Sequence, residues 1–369
     1  MSDICCIFNY GPHYREAIYK LMDKEIGCDF WIGDRTDTSI KAMNYNSLKG
    51  FCGLLKYKPL RVFYRLVGTH NVVINHKYKK YIAIGEPFCL SIWFVLIWSK
   101  ITMKKVVLWS HGINDDIPKW KTRIFHKFFW SLPSHIMLYG NYSKDFMVKF
   151  GIPENKMSVI YNSLDYDRQL PIRQSLHKTD IYKSHFGNDY PVLLYIGRIQ
   201  KRKKIDMVIE AMHILDQQDI KVNFVCIGDN NEDSGIKPLI EKYSLGDRVW
   251  IYGPLYDEEK KGEMLYNADV CVTPGNVGLT AMDCLMYGCP IITNDDFTRQ
   301  MPEFEAIEDG VTGAFFKNDD IQSLATTIHL WIENHKDRTE VMENGFRVID
   351  EKYNPHYQIG VIKKALNLK

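Results

Sequence analysis

The feature that most constrains this chain is an alternation that runs twice. Short apolar runs of strand length alternate with helical segments from residue 4 to residue 161, stop, and start again at Val192. The first series places strands at 4–9, 28–32, 81–84, 106–109, 136–139 and 159–161, with helices reaching Ile26 and over 143–150. Residues 51–57 and 72–74 fit neither pattern cleanly. The second series places strands at Val192–Ile196, 222–227, 249–252, 270–272 and 290–293, with helices at 205–217, 236–243, 258–266 and 321–333. Such alternation builds parallel sheets covered by helices on both faces. Residues 169–189 are polar and irregular, as a linker would be. The expectation is an α/β chain of two Rossmann-like domains facing across a cleft, 1–170 and 185–350, with a terminal helix at 354–369 packing back on the first. A length of 369 residues suits two cores rather than one.

The two halves differ in charge. Residues 1–180 carry 26 Lys and Arg against 15 Asp and Glu, so the nearly neutral chain hides a basic first half and an acidic second. No acid lies between Asp37 and Glu86, where Lys41, Lys49, Lys56, Lys58, Arg61, Arg65, Lys77, Lys79 and Lys80 all fall. A half so basic suits nucleic acid, anionic lipid or a phosphorylated substrate, or is a solvated face. The nine cysteines form no CxxC pair and no zinc spacing, which fits buried thiols in a reducing compartment. Met1-Ser2-Asp3 opens no signal peptide, so a cytoplasmic location is expected.

Three further segments stand out in the first half. Residues 88–98 are the most apolar run, too short for the about 20 residues that span a bilayer, so a buried or interfacial helix is expected. Residues 119–130 mix Lys and Arg with Trp and Phe at helical spacing, which suits a membrane interface or a helix packed in its own domain. His111 and Gly112 follow the strand at 106–109, and Gly11 follows the first strand; ligands of open α/β sheets collect at such ends. Asp165 and Asp167 have the spacing of a metal-binding DxD but no third ligand in view, so no metal site is expected.

The second half holds two anion-binding features. After the strand at 270–272, Pro274-Gly275-Asn276-Val277-Gly278-Leu279-Thr280 leads into a helix of about a dozen residues. Gly275 and Gly278 let the backbone approach a ligand, residues 277–280 offer first-turn N–H groups, and Asp283 lies within reach of a hydroxyl. An ordinary strand–loop–helix–strand would look the same. Separately, Val192–Ile196 ends in Gly197-Arg198 followed by Lys201-Arg202-Lys203-Lys204, and a strand-end loop so basic suits a diphosphate.

These residues resemble the retaining glycosyltransferases of family 4, with the GT-B fold, over nearly the whole chain. Gly197-Arg198-(x4)-Lys203 is similar to the family's G-R-x(4)-K element, and Gly228-Asp229 to its G-(D/E). Ala268-Asp269-Val270 to Pro274, Gly278-Leu279, Asp283 and Gly288-Cys289-Pro290 resemble its A-D…P-S…E-x-F-G-L…E-A-M-A-x-G-x-P signature. The run from Glu305 to Gly313 resembles the E-x-V-x-x-G-x-x-G that follows, Tyr161-Asn162-Ser163-Leu164-Asp165 its P-N-G-V-D, and His111 its strand-end histidine. There are departures. The E-x7-E pair becomes Gly275 and Asp283, and Lys204 stands where the family usually has Gly.

The resemblance implies transfer of a sugar, with retention, from a nucleotide-diphosphate donor, a UDP-sugar favoured, to a glycan or lipid-linked glycan in cell-surface polysaccharide synthesis. His111, Arg198 and Lys203 would carry the chemistry. Gly11, Gly197, Arg198, Lys203, Gly228, Asn276, Val277, Gly278, Leu279, Thr280 and Asp283 would bind the donor, and Tyr14 and Arg15 would face the acceptor. The two cations would neutralise the leaving diphosphate, so neither metal nor cofactor is expected. The basic half suggests docking on the cytoplasmic face of an anionic membrane; no nucleic-acid partner is expected. A sugar-nucleotide epimerase of the same fold and a catalytically silent sugar-nucleotide-binding protein are the competing readings.

Overall fold

The structure, a computed structural model, describes residues 2–35, 40–75, 78–115, 119–229 and 235–368. Asp37 and Lys77, which figure in the charge pattern above, lie outside them. The chain divides into two compact units, residues 1–165 with 354–369, and residues 166–353.

The first unit is built on an eight-stranded sheet: β1 (Ile4–Phe8), β2 (Asp29–Gly33), β3 (Phe51–Leu60), β4 (Phe63–Val67), β5 (Lys80–Ile84), β6 (Lys105–Ser110), β7 (His135–Leu138) and β8 (Met157–Val159), in the order β4-β3-β2-β1-β5-β6-β7-β8. All neighbours are parallel except β3 and β4. Every residue of β1 is buried, which is what parallel strands covered on both faces require and why they read as unbroken apolar runs. Helices α1 (Glu16–Ile26), α2 (Thr69–Asn75), α3 (Leu90–Ile101), α4 (Trp120–Ser131) and α5 (Asn141–Phe150) cross over between strands. One core packs β-sheet residues such as Cys5, Ile7 and Leu108 against α3 and α5; the other packs Cys6, Phe8 and Val107 against α1 and the chain's final helix.

Segments 51–57 and 72–74 resolve into the β3–β4 hairpin and α2. The hairpin lies at the sheet edge, and its exposed Lys56, Lys58, Arg61 and Arg65 form a solvated basic face. Helix α4 packs in its own unit along one face and leaves the other exposed. Phe129 and Trp130 are buried, and Phe125 packs on Trp93 at 5.0 Å, while Trp120, Ile124 and Phe128 are exposed. Among the described residues no helix is long and apolar enough to cross a membrane.

The second unit repeats the plan with a six-stranded, wholly parallel sheet: β9 (Val192–Ile196), β10 (Asn223–Ile227), β11 (Val249–Gly253), β12 (Val270–Thr273), β13 (Ile291–Asn294) and β14 (Gly313–Phe316), in the order β11-β10-β9-β12-β13-β14. Its helices are α6 (Tyr166–Ser175), α7 (Ile181–Phe186), α8 (Asp206–Gln217), α9 (Ile236–Lys242), α10 (Glu258–Asn267), α11 (Thr280–Met286), α12 (Ile321–Asn334) and α13 (Thr339–Glu351). Residues 169–189 are therefore not a linker: they form most of α6 and all of α7, which pack within this unit. Pro171 inside α6 and its lack of an apolar face hid the helix, because its one buried side chain is the polar Gln169. The helix after Gly278 has seven residues instead of about a dozen, since Gly288, at φ +73°, ends the turn that follows it.

The last helix, α14 (Pro355–Leu366), returns to the first unit. Lys363 pairs with Glu25 of α1 at 2.6 Å. Gln358 accepts from Ser163 Oγ at 2.6 Å and donates to the Tyr161 carbonyl at 2.9 Å. The Tyr161–Asp165 motif is thereby fixed from inside its own unit.

Candidate active site

In the second unit the C-terminal edge of the sheet gathers the sequence-predicted donor residues other than Gly11, which lies in the first unit. Gly197 and Gly228 end β9 and β10 with φ of +149° and +155°, and their backbones touch. A Cβ on Gly228 would sit 1.8 Å from the Gly197 carbonyl oxygen, so no larger residue fits. Thr280 Oγ1 donates to the Ile196 carbonyl at 3.1 Å, tying the start of α11 to the end of β9.

The basic loop after Gly197 folds as a short 3-10 turn, Lys201–Lys203. Arg198 is exposed, with its carbonyl held by the Tyr195 hydroxyl at 2.9 Å. Lys203 Nζ donates to Asn276, at 2.5 Å to the carbonyl and 3.0 Å to Oδ1. Burial first, then the like charges of Arg202 and Arg198, pull its pKa down to about 8. An ammonium held among cations this way is stabilised by an arriving anion. Lys204 closes the turn at φ +51°, the left-handed conformation that glycine adopts at least cost, so the departure from the family's Gly changes the side chain and keeps the backbone. Its ammonium pairs with Asp319.

Gly275 has a steric explanation. Its N–H donates to the Lys203 carbonyl at 3.0 Å, and a Cβ there would lie 2.5 Å from the Arg202 carbonyl oxygen and 2.7 Å from Lys203 Cα. The two loops meet backbone to backbone, leaving no room for the acid the resemblance implies. Beside this contact lies a cavity of about 270 Å³ whose lining includes Arg202, Lys204, Asn276, Asp296, Arg299 and Asn318.

The helix tip differs from expectation in one respect. The Val277 N–H is buried and donates to Gln300 Oε1 at 2.7 Å, so it is not offered to a ligand. Thr280 begins α11 and Leu279 caps it; Gly278, Leu279 and Thr280 are the residues at the tip. A Cβ on Gly278 would meet nothing nearer than Met301 Cγ at 3.7 Å, so packing does not demand glycine there.

Asp283 lies in a polar cluster that sequence reasoning missed. Its Oδ1 accepts from Lys261 Nζ at 2.8 Å and Gln169 Nε2 at 2.9 Å. Glu258 Oε1 accepts from the same lysine and glutamine, each at 2.9 Å, and from the Tyr287 hydroxyl at 2.8 Å. Burial raises the Asp283 pKa and the Lys261 charge opposes it. Gln169, Glu258 and Lys261 come from α6 and α10, far from any motif, and nothing local in the sequence marks them.

In the first unit the corresponding edge is aromatic. The Arg15 guanidinium lies 5.0 Å from the Trp109 ring and 5.2 Å from that of Tyr139, whose other neighbour is the His111 ring at 4.5 Å. Desolvation first, then Arg15, lowers the His111 pKa to about 4. His111 as a whole residue is exposed, which moderates the shift, but both causes keep the imidazole neutral at pH 7. Tyr14 is half-buried next to His13, with ring centroids 5.8 Å apart. Gly11 is buried under Tyr45, where a Cβ would lie 2.6 Å from Cε1, so its smallness serves packing.

Against known proteins, the family model described as glycosyl transferases group 1 matches residues 178–348. Residues 178–348 thus correspond to a glycosyltransferase group 1 domain. An uncharacterized 41.2 kDa protein in the cps region of Klebsiella pneumoniae is 28% identical over 294 residues, 76% of this chain and 71% of that protein. The amylovoran biosynthesis glycosyltransferase AmsK of Erwinia amylovora is 25% identical over 220 residues, 57% of this chain and 50% of its own length. Among solved structures, HepE of Anabaena in complex with UDP aligns over 100% of both chains with a TM-score of 0.72 at 17% identity. Two parallel-sheet units of this kind make up the GT-B glycosyltransferase fold.

Proposed function

We propose that this glycosyltransferase transfers a sugar, with retention of anomeric configuration, from a UDP-sugar to a glycan or lipid-linked glycan acceptor in the synthesis of a cell-surface polysaccharide. The observation that carries the reading is the Lys203 ammonium, crowded by Arg198 and Arg202 and resting on Asn276 at the sheet edge. A diphosphate arriving there relieves the repulsion and gains charge-assisted hydrogen bonds. Arg198 and Lys203 then neutralise the charge that develops on the leaving group, the part a metal plays in other transferases. Asp283, its Oδ1 taken by Lys261 and Gln169, presents Oδ2 to the ribose hydroxyls.

The first unit recognises the acceptor. His111, neutral at pH 7, donates a hydrogen bond to a sugar hydroxyl without adding charge. The leaving phosphate takes the acceptor proton as the new bond forms on the same face, so no protein nucleophile is invoked. The cps-region and amylovoran relatives support a role in polysaccharide synthesis. The exposed Trp120, Ile124 and Phe128 of α4, among exposed Lys119, Lys121, Arg123 and Lys127, support docking on an anionic membrane where lipid-linked acceptors lie.

Calorimetry with UDP and a transfer assay test the donor half together. Arg198→Ala with Lys203→Ala is expected to weaken UDP binding by about 100-fold or more, since each charged hydrogen-bonding group contributes about 1.5–3 kcal/mol, and to abolish transfer. Unchanged affinity in the double variant would remove the assignment.

A further inference from the structure

Among the described residues Arg15 is a cation without a counter-charge. It ends the short turn after β1, and its guanidinium rests on the faces of Trp109, in β6, and Tyr139, just after β7. Three separate segments at the C-terminal edge of one sheet thus hold a single positive charge. Among the described residues no carboxylate pairs with it; neighbouring Glu16 is paired with Lys20 at 2.7 Å and accepts from Ser47. Arg15 Nε and Trp109 Nε1 are both buried with no hydrogen-bond partner among the described residues. Trp109 as a whole is 2% exposed. The Tyr19 hydroxyl lies close enough to the guanidinium for a weak hydrogen-bonding interaction, but neither it nor Arg15 Nε has a partner within strict hydrogen-bond geometry among the described residues.

A structural arginine of this burial would be expected to spend its donors on carbonyls or carboxylates. Here the guanidinium rests on aromatic faces and its buried Nε donates to no carbonyl or carboxylate among the described residues, which is how an arginine is prepared for a planar or tetrahedral oxyanion. The same Tyr139 ring also packs against His111, an uncharged donor. Packed on one ring, the pair offers one charged and one neutral contact. A neutral sugar uses only the second.

We propose that Arg15 binds an anionic group, phosphate or carboxylate, carried by the acceptor, so that the acceptor substrate is a charged glycan or sugar phosphate. The inference rests on the glycosyltransferase reading above and narrows its acceptor class. The same oxyanion chemistry could come from the donor diphosphate, and the experiment separates the two sources.

His111 is the reporter, because the Arg15 charge acts on it. Its ring resonances are followed by NMR against pH in the whole chain, with glucose 1-phosphate as the acceptor-like probe, glucose as its neutral control and UDP as the donor-derived anion. Binding of glucose 1-phosphate is expected to offset the Arg15 charge and raise the His111 pKa by about one unit. Glucose should leave it in place, and saturating UDP should leave the response to glucose 1-phosphate intact. Arg15→Gln should raise the resting His111 pKa and erase the response, while Arg15→Lys restores part of it. Calorimetric UDP binding by both variants shows that the fold and the donor site survive. If UDP alone moves His111 and blocks the response, the anion is the donor's and the acceptor assignment falls. If neither anion moves His111 in the wild-type chain, Arg15 is not an anion site. Failure of the wild-type chain to bind UDP at all would instead remove the reading on which this inference stands.

Discussion

The two sheets end in edges of opposite construction. In the second unit the edge is backbone on backbone: Gly228 against Gly197, Gly275 against Arg202 and Lys203, with cations crowded on top. In the first unit it is ring on ring, with Trp109 and Tyr139 walling one arginine and one neutral histidine. Backbone contacts have no rotamers to adjust, so the second edge holds one fixed arrangement, suited to the part of a donor that does not vary. Aromatic walls tolerate different outlines while keeping their polar groups in place, which suits a partner that differs between systems.

The largest expected effect attacks the rigid edge through its buried charges. Lys261→Met leaves the Asp283 and Glu258 carboxylates facing each other without their shared cation, with all three side chains at least four-fifths buried. A loss of about 3–5 kcal/mol is expected in chemical denaturation at pH 7. The sign with pH is specific: protonating one carboxylate relieves the repulsion, so the gap to wild type should narrow as pH falls toward 5. A gap that stays constant would mean the loss is packing alone.

Gly275→Ala comes next. The added methyl must push the Arg202–Lys203 backbone away, at about 1–3 kcal/mol, with weaker UDP binding by calorimetry because Lys203 moves with it. Gly278→Ala, with nothing nearer than 3.7 Å, should leave the melting temperature unchanged; equal losses in both would break the claim that close backbone contact is what requires glycine at position 275.

Smaller still is the pH profile of UDP binding. Because the free Lys203 pKa is lowered to about 8 and an anion would raise it, affinity should be flat below pH 8 and fall by up to about tenfold per unit above it. In Lys203→Ala the fall above pH 8 should disappear. The mildest test belongs to the first unit. Trp120→Ser with Phe128→Ser, both exposed, should change stability by less than about 0.5 kcal/mol yet abolish flotation with anionic vesicles. Retained flotation would leave α4 as an ordinary surface helix.

The sequence announced the second edge far better than the first, for a physical reason. Glycine and clustered Lys and Arg are chemically distinctive, so 197–204 and 274–280 are visible without any tertiary information. The buried parallel strands are equally plain, being short apolar runs. What escaped notice depends on contacts between distant segments. Gly275 reads as a missing acid until Lys203 is seen against it, and Gln169, in a stretch that looks like a linker, is the buried residue of α6. The β3–β4 hairpin was obscure because its exposed, alternating residues lie at the sheet edge. Arg15 enters the sequence reading only as an acceptor-facing residue implied by the resemblance; its setting against Trp109 and Tyr139, about a hundred residues away, depends on the fold.

The contact between Gly275 and Lys203 also governs how such a loop pair can be inherited or transplanted. A chimaera that imports only residues 273–280 from a homologue with a side chain at the Gly275 position would insert that side chain into the native turn at 201–204. Importing both segments together avoids the collision. Substitutions in the two loops are thus epistatic, and single-site exchange between family members at this edge should fail where paired exchange succeeds.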